Sequence, residues 1–225
     1  SDLPGFDEGA WWVQDAAAAI PARLFGSLVD ERVADLCAAP GGKTAQLILA
    51  GGDVVAFDQS ANRLKRLEGN LARLGLSAET RKARAEKVTD EAGFDAVLLD
   101  APCSSTGTVR RHPDVVWTKG PEDIAKLAAV QRGLLDHAIT LVKPGGRLVF
   151  SNCSLDPEEG ETMIDGFLAD HPGWVIDPVD PALLPGLAEA ITARGEVRTH
   201  PAMLSFDTPQ NAGLDGFYAV ALKHA

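Results

Sequence analysis

Short apolar runs and amphipathic stretches alternate along most of this chain. Val33–Leu36 is a mostly apolar run that ends at a Gly/Pro loop, and Thr44–Leu49 reads as the start of a helix. Asp53–Phe57 (DVVAF) is a second strand-like run, ending at Asp58. Ala61–Leu74 then places Leu64, Leu67, Leu71 and Leu74 at three- and four-residue steps, one face of a helix. Ala96–Leu99 (AVLL) reads as a buried strand ending at Asp100. Glu122–Val142 is a long amphipathic stretch stopped by Lys143-Pro144-Gly145-Gly146. Arg147–Phe150 is the next strand, Glu159–Leu168 is helical in pattern, and Gly216–Leu222 (GFYAVAL) is a final strand. No internal repeat, low-complexity tract or linker interrupts this order.

Alternating strands and helices predict an α/β fold, a doubly wound and mostly parallel sheet with right-handed crossovers. One domain over residues 1–225 is expected, with residues 1–30 as a helical lead-in. In such sheets ligands bind beyond the carboxyl ends of the strands. Cys37, Asp58, Asp100, Cys103 and Cys153 each fall just after a predicted strand end, so all five are expected on one rim.

Composition narrows the class. With 225 residues, 45% of them hydrophobic, the chain can bury a full core. No run of about 18 apolar residues appears, so no membrane partner is expected. The start, SDLPGFDEGAWW, has neither a methionine nor a signal-peptide pattern, and a piece of a longer protein is the expectation. Cys37, Cys103 and Cys153 form no disulfide framework and no C-x-x-C pair, which points to a reducing cytoplasm and argues against a metal. The net charge of −11 is uneven: −6 over residues 1–61, +4 over 62–150 and −9 over 151–225. A basic middle in an acidic body permits an anionic partner on one face.

The loop DLCAAPGGKT (Asp35–Thr44) ends like a phosphate-binding loop. A true one needs G-x-x-x-x-G-K-[ST], and here Cys37 stands where the first glycine belongs. Pro40 also removes a backbone donor from the cradle. An ATPase is therefore disfavoured. Small residues Ala38, Ala39, Gly41 and Gly42 instead permit close approach by an uncharged or zwitterionic cofactor. Asp58, about 20 residues on, can accept hydrogen bonds from ribose hydroxyls or cap the following helix. G-x-G-x-x-G is absent, so a nucleoside cofactor without phosphates fits best, S-adenosylmethionine above all.

DAPCSSTGTVRRHPDVVW (Asp100–Trp117) and SNCSLDPEEGE (Ser151–Glu161) follow successive strands of one βαβ unit, which brings Cys103 near Cys153. Two thiols at one rim suggest covalent chemistry. With S-adenosylmethionine the natural reaction is methylation of cytosine at C5. A thiolate adds to C6 and makes C5 nucleophilic, and a second group helps release. Asp100 can hydrogen-bond the exocyclic amine and N3. A cysteine after proline, as Cys103 is, serves as nucleophile in DNA cytosine methyltransferases, so this reasoning leaves the division of roles open.

Together DLCAAPGGKT, LLDAPCSSTGTVRRHPDVVW, LVKPGGRLVFSNCSLDPEEGE, DGFYAVAL and the opening LPGFDEGAWWVQDAAA resemble the RNA 5-methylcytosine methyltransferases of the Sun/Fmu group, which modify ribosomal RNA. The resemblance implies a Rossmann-like, class I S-adenosylmethionine-dependent methyltransferase with an antiparallel C-terminal edge strand. It implies Cys153 as nucleophile, Cys103 as the group assisting release, and Asp100 beside the methionine end and the base. Cys37, Ala38, Ala39, Pro40, Gly41, Gly42 and Lys43 would line the cofactor site, with Asp58 on the ribose. S-adenosylhomocysteine would be the product and ribosomal RNA the substrate partner, with the chain a cytoplasmic monomer lacking a separate N-terminal RNA-binding domain. Arg110, Arg111 and His112 would meet phosphates near the target base, whereas Trp11, Trp12 and Trp117 read as packing residues. Two positions depart from the family: Arg84, with Glu86 two residues on, stands where an acidic residue near the adenine is usual, and Asn152 replaces the usual threonine before the nucleophile. Weaker cofactor affinity is the expected result of the first. A methyltransferase on DNA or a small molecule, and a non-catalytic cofactor-binding module serving as an RNA or ribosome assembly factor, are the competing readings.

Overall fold

The computed structural model describes residues 3–204 and 213–225. In chain order it contains α1 (Ile20–Arg23), β1 (Arg32–Leu36), α2 (Gly42–Leu49), β2 (Asp53–Asp58), α3 (Ala61–Arg73), β3 (Glu79–Lys82), β4 (Phe94–Asp100) and α4 (Val115–Thr118). It continues with α5 (Pro121–Ala138), β5 (Val142–Asn152), α6 (Glu161–Asp170), β6 (Trp174–Ile176), β7 (Val197–Thr199) and β8 (Phe217–His224). The strands form one eight-stranded sheet in the order β3-β2-β1-β4-β5-β8-β6, with β7 also paired to β8. Strands β1 to β5 are parallel, and β8 runs antiparallel to β5.

Period-two alternation assigns each strand two apolar faces. Leu36, Phe57, Leu99 and Phe150 point to one side, against Leu135 and Ala138 of α5 and Ile164 and Phe167 of α6. Val33, Val54, Leu98 and Val149 point to the other, against Ile20 of α1 and Leu47 of α2. On α3 the leucine stripe is buried as its spacing predicts, through Leu64, Leu67 and Leu71. Each such leucine contributes roughly 2 kcal/mol of transfer free energy. Ser60 caps this helix by accepting from the Arg63 N–H at 3.4 Å, and Gly75, at φ +68°, turns the chain away beyond its end. Strand order reverses between β1 and β4, so the ligand crevice of this fold class lies at their carboxyl ends.

Three expectations change. From residue 3 on, the described part of the lead-in is not helical: apart from the four residues of α1 it is turns and irregular chain, because Gly5, Gly9 and Gly26 take positive φ and no apolar period spans it. It is tied down instead by Arg73, which donates to the Trp11 carbonyl at 3.1 Å and lies over the Phe6 ring at 3.9 Å. The helix expected to reach Val142 ends at Ala138, passes through a 3₁₀ turn at Ile139–Leu141, and Val142 already belongs to β5. Lys143-Pro144-Gly145-Gly146 is therefore not a loop before the strand but an irregularity inside it, where pairing to β4 jumps from Phe94–Val142 to Ala96–Arg147. Finally, β8 is antiparallel but not the outermost strand, since β6 and β7 cover opposite ends of its outer side. Among the described residues no helix is long and apolar enough to cross a membrane.

Candidate active site

Five loops leave the carboxyl ends of β1, β2, β3, β4 and β5 and surround a cleft of about 570 Å³, closed on one side by Val130, Gly133 and Leu134 of α5. Cys37, Asp58, Asp100, Cys103 and Cys153 all line it. Of the remaining residues expected around a cofactor, Ala39 lines the wall, whereas Ala38, Pro40, Gly41, Gly42 and Lys43 shape the turn behind it. Gly41 sits at φ +102°, and a Cβ there would come within 2.9 Å of Leu67. That close approach, not phosphate binding, is what requires a glycine. Lys43 Nζ is held by Asp100 Oδ2 at 2.7 Å, and Ser151 Oγ donates to Asp100 Oδ1 at 2.9 Å.

Asp58 is buried at the end of β2. Its Oδ1 accepts from the Ser60 N–H at 2.9 Å, so Ser60 and not Asp58 is the residue that caps α3. Arg63 approaches Asp58 Oδ2 to 3.3 Å, within ion-pair distance but not aligned for a hydrogen bond. Oδ2 is therefore an acceptor without a hydrogen-bond partner. Arg63 itself donates to the Ala39 carbonyl at 2.6 Å, bridging the first two loops. At the third loop Arg84 and Glu86 both line the cleft and pair at 2.6 Å.

The end of β1 and the loop after it hold two further acids of different kinds. Cys37 is fixed at φ +64°, and burial pushes its thiol up to about 12, so it stays protonated. Asp35, inside β1, is fully buried. Thr44 Oγ1 donates to its Oδ2 at 2.6 Å, its Oδ1 has no partner, and burial raises its pKa from 3.8 to about 7.

The sulfurs of Cys103 and Cys153 are 3.4 Å apart, both as free thiols. Register explains this: Asp100 pairs with Ser151 across β4 and β5, and the Ala101 N–H donates to the Ser151 carbonyl at 2.8 Å, so the two loops start side by side. The pair is not symmetric. The hydrogen bond with Cys103 holds the Cys153 thiol below the usual thiol range, with help from Ser105, whereas that same hydrogen bond and burial push Cys103 well above it.

A buried polar network fixes both loops. Glu159 accepts from the Ser104 N–H at 2.9 Å, from Ser104 Oγ, and from Gln131 Nε2 at 2.7 Å. Asn152 donates to Gln131 Oε1 at 3.0 Å and to the Glu159 carbonyl at 2.6 Å, and accepts from the Ser154 N–H at 2.9 Å. The departure at Asn152 thus has a physical use: an amide bridges two partners where a threonine hydroxyl has a single proton to donate. Gly107 adds a seam, its N–H donating to the Cys153 carbonyl at 2.9 Å while its own carbonyl accepts from the Gly216 N–H at 2.8 Å. A Cβ on Gly107 would lie 2.0 Å from the Gly216 oxygen.

Two of the three basic residues expected to meet phosphates are already engaged. Arg110 pairs with Asp15 at 2.6 Å and Arg111 grips Asp215 through both carboxylate oxygens, while His112 is exposed. Trp117, expected to pack, is 89% exposed. Sequence reasoning missed Asp35, Arg63, Ser105, Gln131 and Glu159. Gln131 had a signal, a polar residue on the apolar face that carries Leu134 and Leu135; Glu159 had none.

A family model described as 16S rRNA methyltransferase RsmB/F matches residues 26–223. Ribosomal RNA small subunit methyltransferase B of Sodalis glossinidius is 44% identical over 192 residues, covering 82% of this chain and 44% of the relative. The protein of the same name from Erwinia tasmaniensis is 40% identical over 225 residues, covering 98% and 48%. The chain thus spans about half the length of the curated relatives it matches. Among solved structures, PH0851 superposes with a TM-score of 0.85 at 34% identity, covering 98% of this chain and 48% of that one. NSun6 from Pyrococcus horikoshii, solved with the S-adenosylmethionine analogue SFG, superposes with a TM-score of 0.81 at 27% identity, covering 99% and 55%.

Proposed function

The chain belongs to the RsmB/F family of 16S rRNA methyltransferases, and from that premise we propose that it methylates C5 of a cytosine in ribosomal RNA, using S-adenosylmethionine and a covalent bond between Cys153 and C6. The observation that carries this reading is the pair of sulfurs 3.4 Å apart in the same cleft as the unpartnered Asp58 oxygen.

The residues present fit the cofactor. Asp58 Oδ2 is a buried acceptor lacking a donor, which ribose hydroxyls supply, and Ala39, Ala83 and Ala85 leave room along the wall. Glu86 offers the acceptor for the adenine amine that Arg84 cannot. When bound, the cofactor supplies an electrophilic methyl group. The chain's own residues do the rest. Cys153 as thiolate adds to C6, and the C5–C6 electron pair moves to make C5 the nucleophile. Asp100, oriented by Lys43 and Ser151, retains lone pairs to accept from the cytosine amine. After methylation the C5 proton passes to a solvent base, the C5–H electron pair re-forms the C5–C6 double bond, and the C6–S pair leaves with sulfur as the Cys153 thiolate. Cys103, in contact with that sulfur, assists this release. The target base must be unstacked to reach the cleft, and phosphates near Arg110 and Arg111 must compete with Asp15 and Asp215.

The reading is tested by incubating the chain with 16S rRNA and methyl-labelled cofactor, then digesting to nucleosides. Label in 5-methylcytidine is expected. Label on any other nucleoside overturns the assignment, and cofactor binding without transfer favours the non-catalytic module. For the cofactor end, Glu86→Ala is expected to weaken binding of S-adenosylhomocysteine about tenfold by calorimetry, the scale of one hydrogen bond to a charged group. An unchanged Kd would leave the adenine to backbone and apolar contacts.

A further inference from the structure

Ser105 lies beside the two thiols, its oxygen forming a triangle with both sulfurs, and nothing in its backbone setting calls for a hydroxyl. It sits at φ +62°, ψ +21°, the left-handed region where glycine is the least strained choice. The Thr108 N–H and Thr108 Oγ1 both donate to its carbonyl, at 3.0 and 2.8 Å, which locks the peptide and with it the direction of the side chain. Its Oγ is 3.5 Å from the Cys153 sulfur and 3.9 Å from the Cys103 sulfur, and Ser105 lines the cleft with both. In the neutral pair Cys153 donates to this oxygen. Once Cys153 loses its proton the roles must reverse, because a thiolate only accepts and the hydroxyl can rotate to donate.

We propose that Ser105 is a catalytic residue whose hydroxyl holds the Cys153 thiolate by a direct hydrogen bond and makes Cys153, not Cys103, the sulfur that ionises. The inference deepens the cysteine mechanism above and rests on it for the role of the thiolate, but the ionisation itself is measurable without RNA. The other groups acting on this sulfur do not select between the two thiols as directly. Lys43 favours the thiolate from α2, yet it is spent on Asp100, whose charge opposes it from β4. Arg111 acts from just beyond a 3₁₀ turn at Thr106–Arg110, with its charge bound to Asp215. Glu159, beneath the Cys103 loop, disfavours ionisation of Cys103. The Cys103 hydrogen bond is the largest influence lowering Cys153, but either sulfur can be its donor, so it needs a third group to fix its sense. Ser105 has its shorter contact with Cys153, which breaks the tie. The direction in which Ser105 moves the Cys153 thiol, downward, agrees with this.

The test is the pH dependence of iodoacetamide alkylation of the free chain, resolved by peptide mass spectrometry so that Cys37, Cys103 and Cys153 report separately. Ser105→Gly is the informative variant because glycine accepts the left-handed backbone; Ser105→Ala is its partner, and thermal melts establish that each folds. The midpoint for Cys153 is expected to rise by about one pH unit in both variants, the scale of losing one hydrogen bond to a charged group. A Cys153 midpoint that does not move in folded Ser105→Gly overturns the proposal. Repeating the comparison in a Cys103→Ala background separates a direct effect from one relayed through Cys103: persistence of the shift supports the direct contact, and its disappearance overturns it. If the shift is present while 16S rRNA is never methylated, it is the cysteine mechanism and not the thiolate assignment that has failed.

Discussion

Cys153→Ala is expected to abolish methyl transfer, and Cys103→Ala is expected to leave the protein covalently attached to its RNA. Without Cys153 no bond to C6 forms, C5 stays a weak nucleophile, and the rate should fall by at least about 10⁴-fold, the scale seen when a nucleophile is removed. Without Cys103 the first half of the reaction remains possible. The Cys153 thiolate still has Ser105 and Lys43 beside it, but release lacks the neighbouring thiol. The adduct should then accumulate as a band of reduced mobility on a denaturing gel, with turnover slowed by about 10²- to 10⁴-fold. The two variants must be run side by side with RNA and cofactor. An adduct with Cys153→Ala and none with Cys103→Ala would exchange the two roles, which the 3.4 Å separation alone does not forbid.

The second large effect concerns stability, at Asp35. This carboxyl is raised from 3.8 to about 7, with desolvation the largest cause. Between those values the folded chain keeps the proton that the unfolded chain has released. Stability therefore falls as pH rises through this window, being highest below the unfolded value and lost by the folded one. Three units correspond to about 4 kcal/mol over the whole window, and to roughly 3 kcal/mol between pH 5 and pH 8. Asp35→Asn keeps an acceptor for Thr44 Oγ1 but has nothing to ionise. Urea unfolding at both pH values should show the wild type losing about 3 kcal/mol more than the variant between them. Parallel losses would mean that Asp35 is already charged at pH 5 in the folded state.

Much of the fold was legible because parallel strands buried on two faces read as apolar runs, and because residues just past their ends must share a rim. That logic places Cys37, Asp58, Asp100, Cys103 and Cys153 on one rim, and they do line one cleft. What failed to show in sequence was set by partners far away along the chain. β3, as Glu79-Thr80-Arg81-Lys82, carries no apolar side chain and is a strand only because β2 pairs with it. β6 and β7 have three residues each, too few for a period to appear. Arg110 and Arg111 look like free cations until the fold brings Asp15 and Asp215, 95 and 104 residues distant, against them. The buried network at Glu159 is likewise invisible, since a Glu within PEEGE reads as surface charge.

Those two arginines have a consequence for the architecture as a whole. Asp15 precedes the first helix and Asp215 precedes the last strand, and the Asp215 N–H itself donates to Asp15 at 3.0 Å. Segments near the two ends of the described chain are thus buckled together by charge at the mouth of the cleft, on top of the apolar core that Ala17 and Ile20 share with Leu214 and Phe217. A polyanion gripping Arg110 or Arg111 would have to unfasten one tooth of that buckle, so such binding and the pairing of these two segments would compete for the same guanidinium groups.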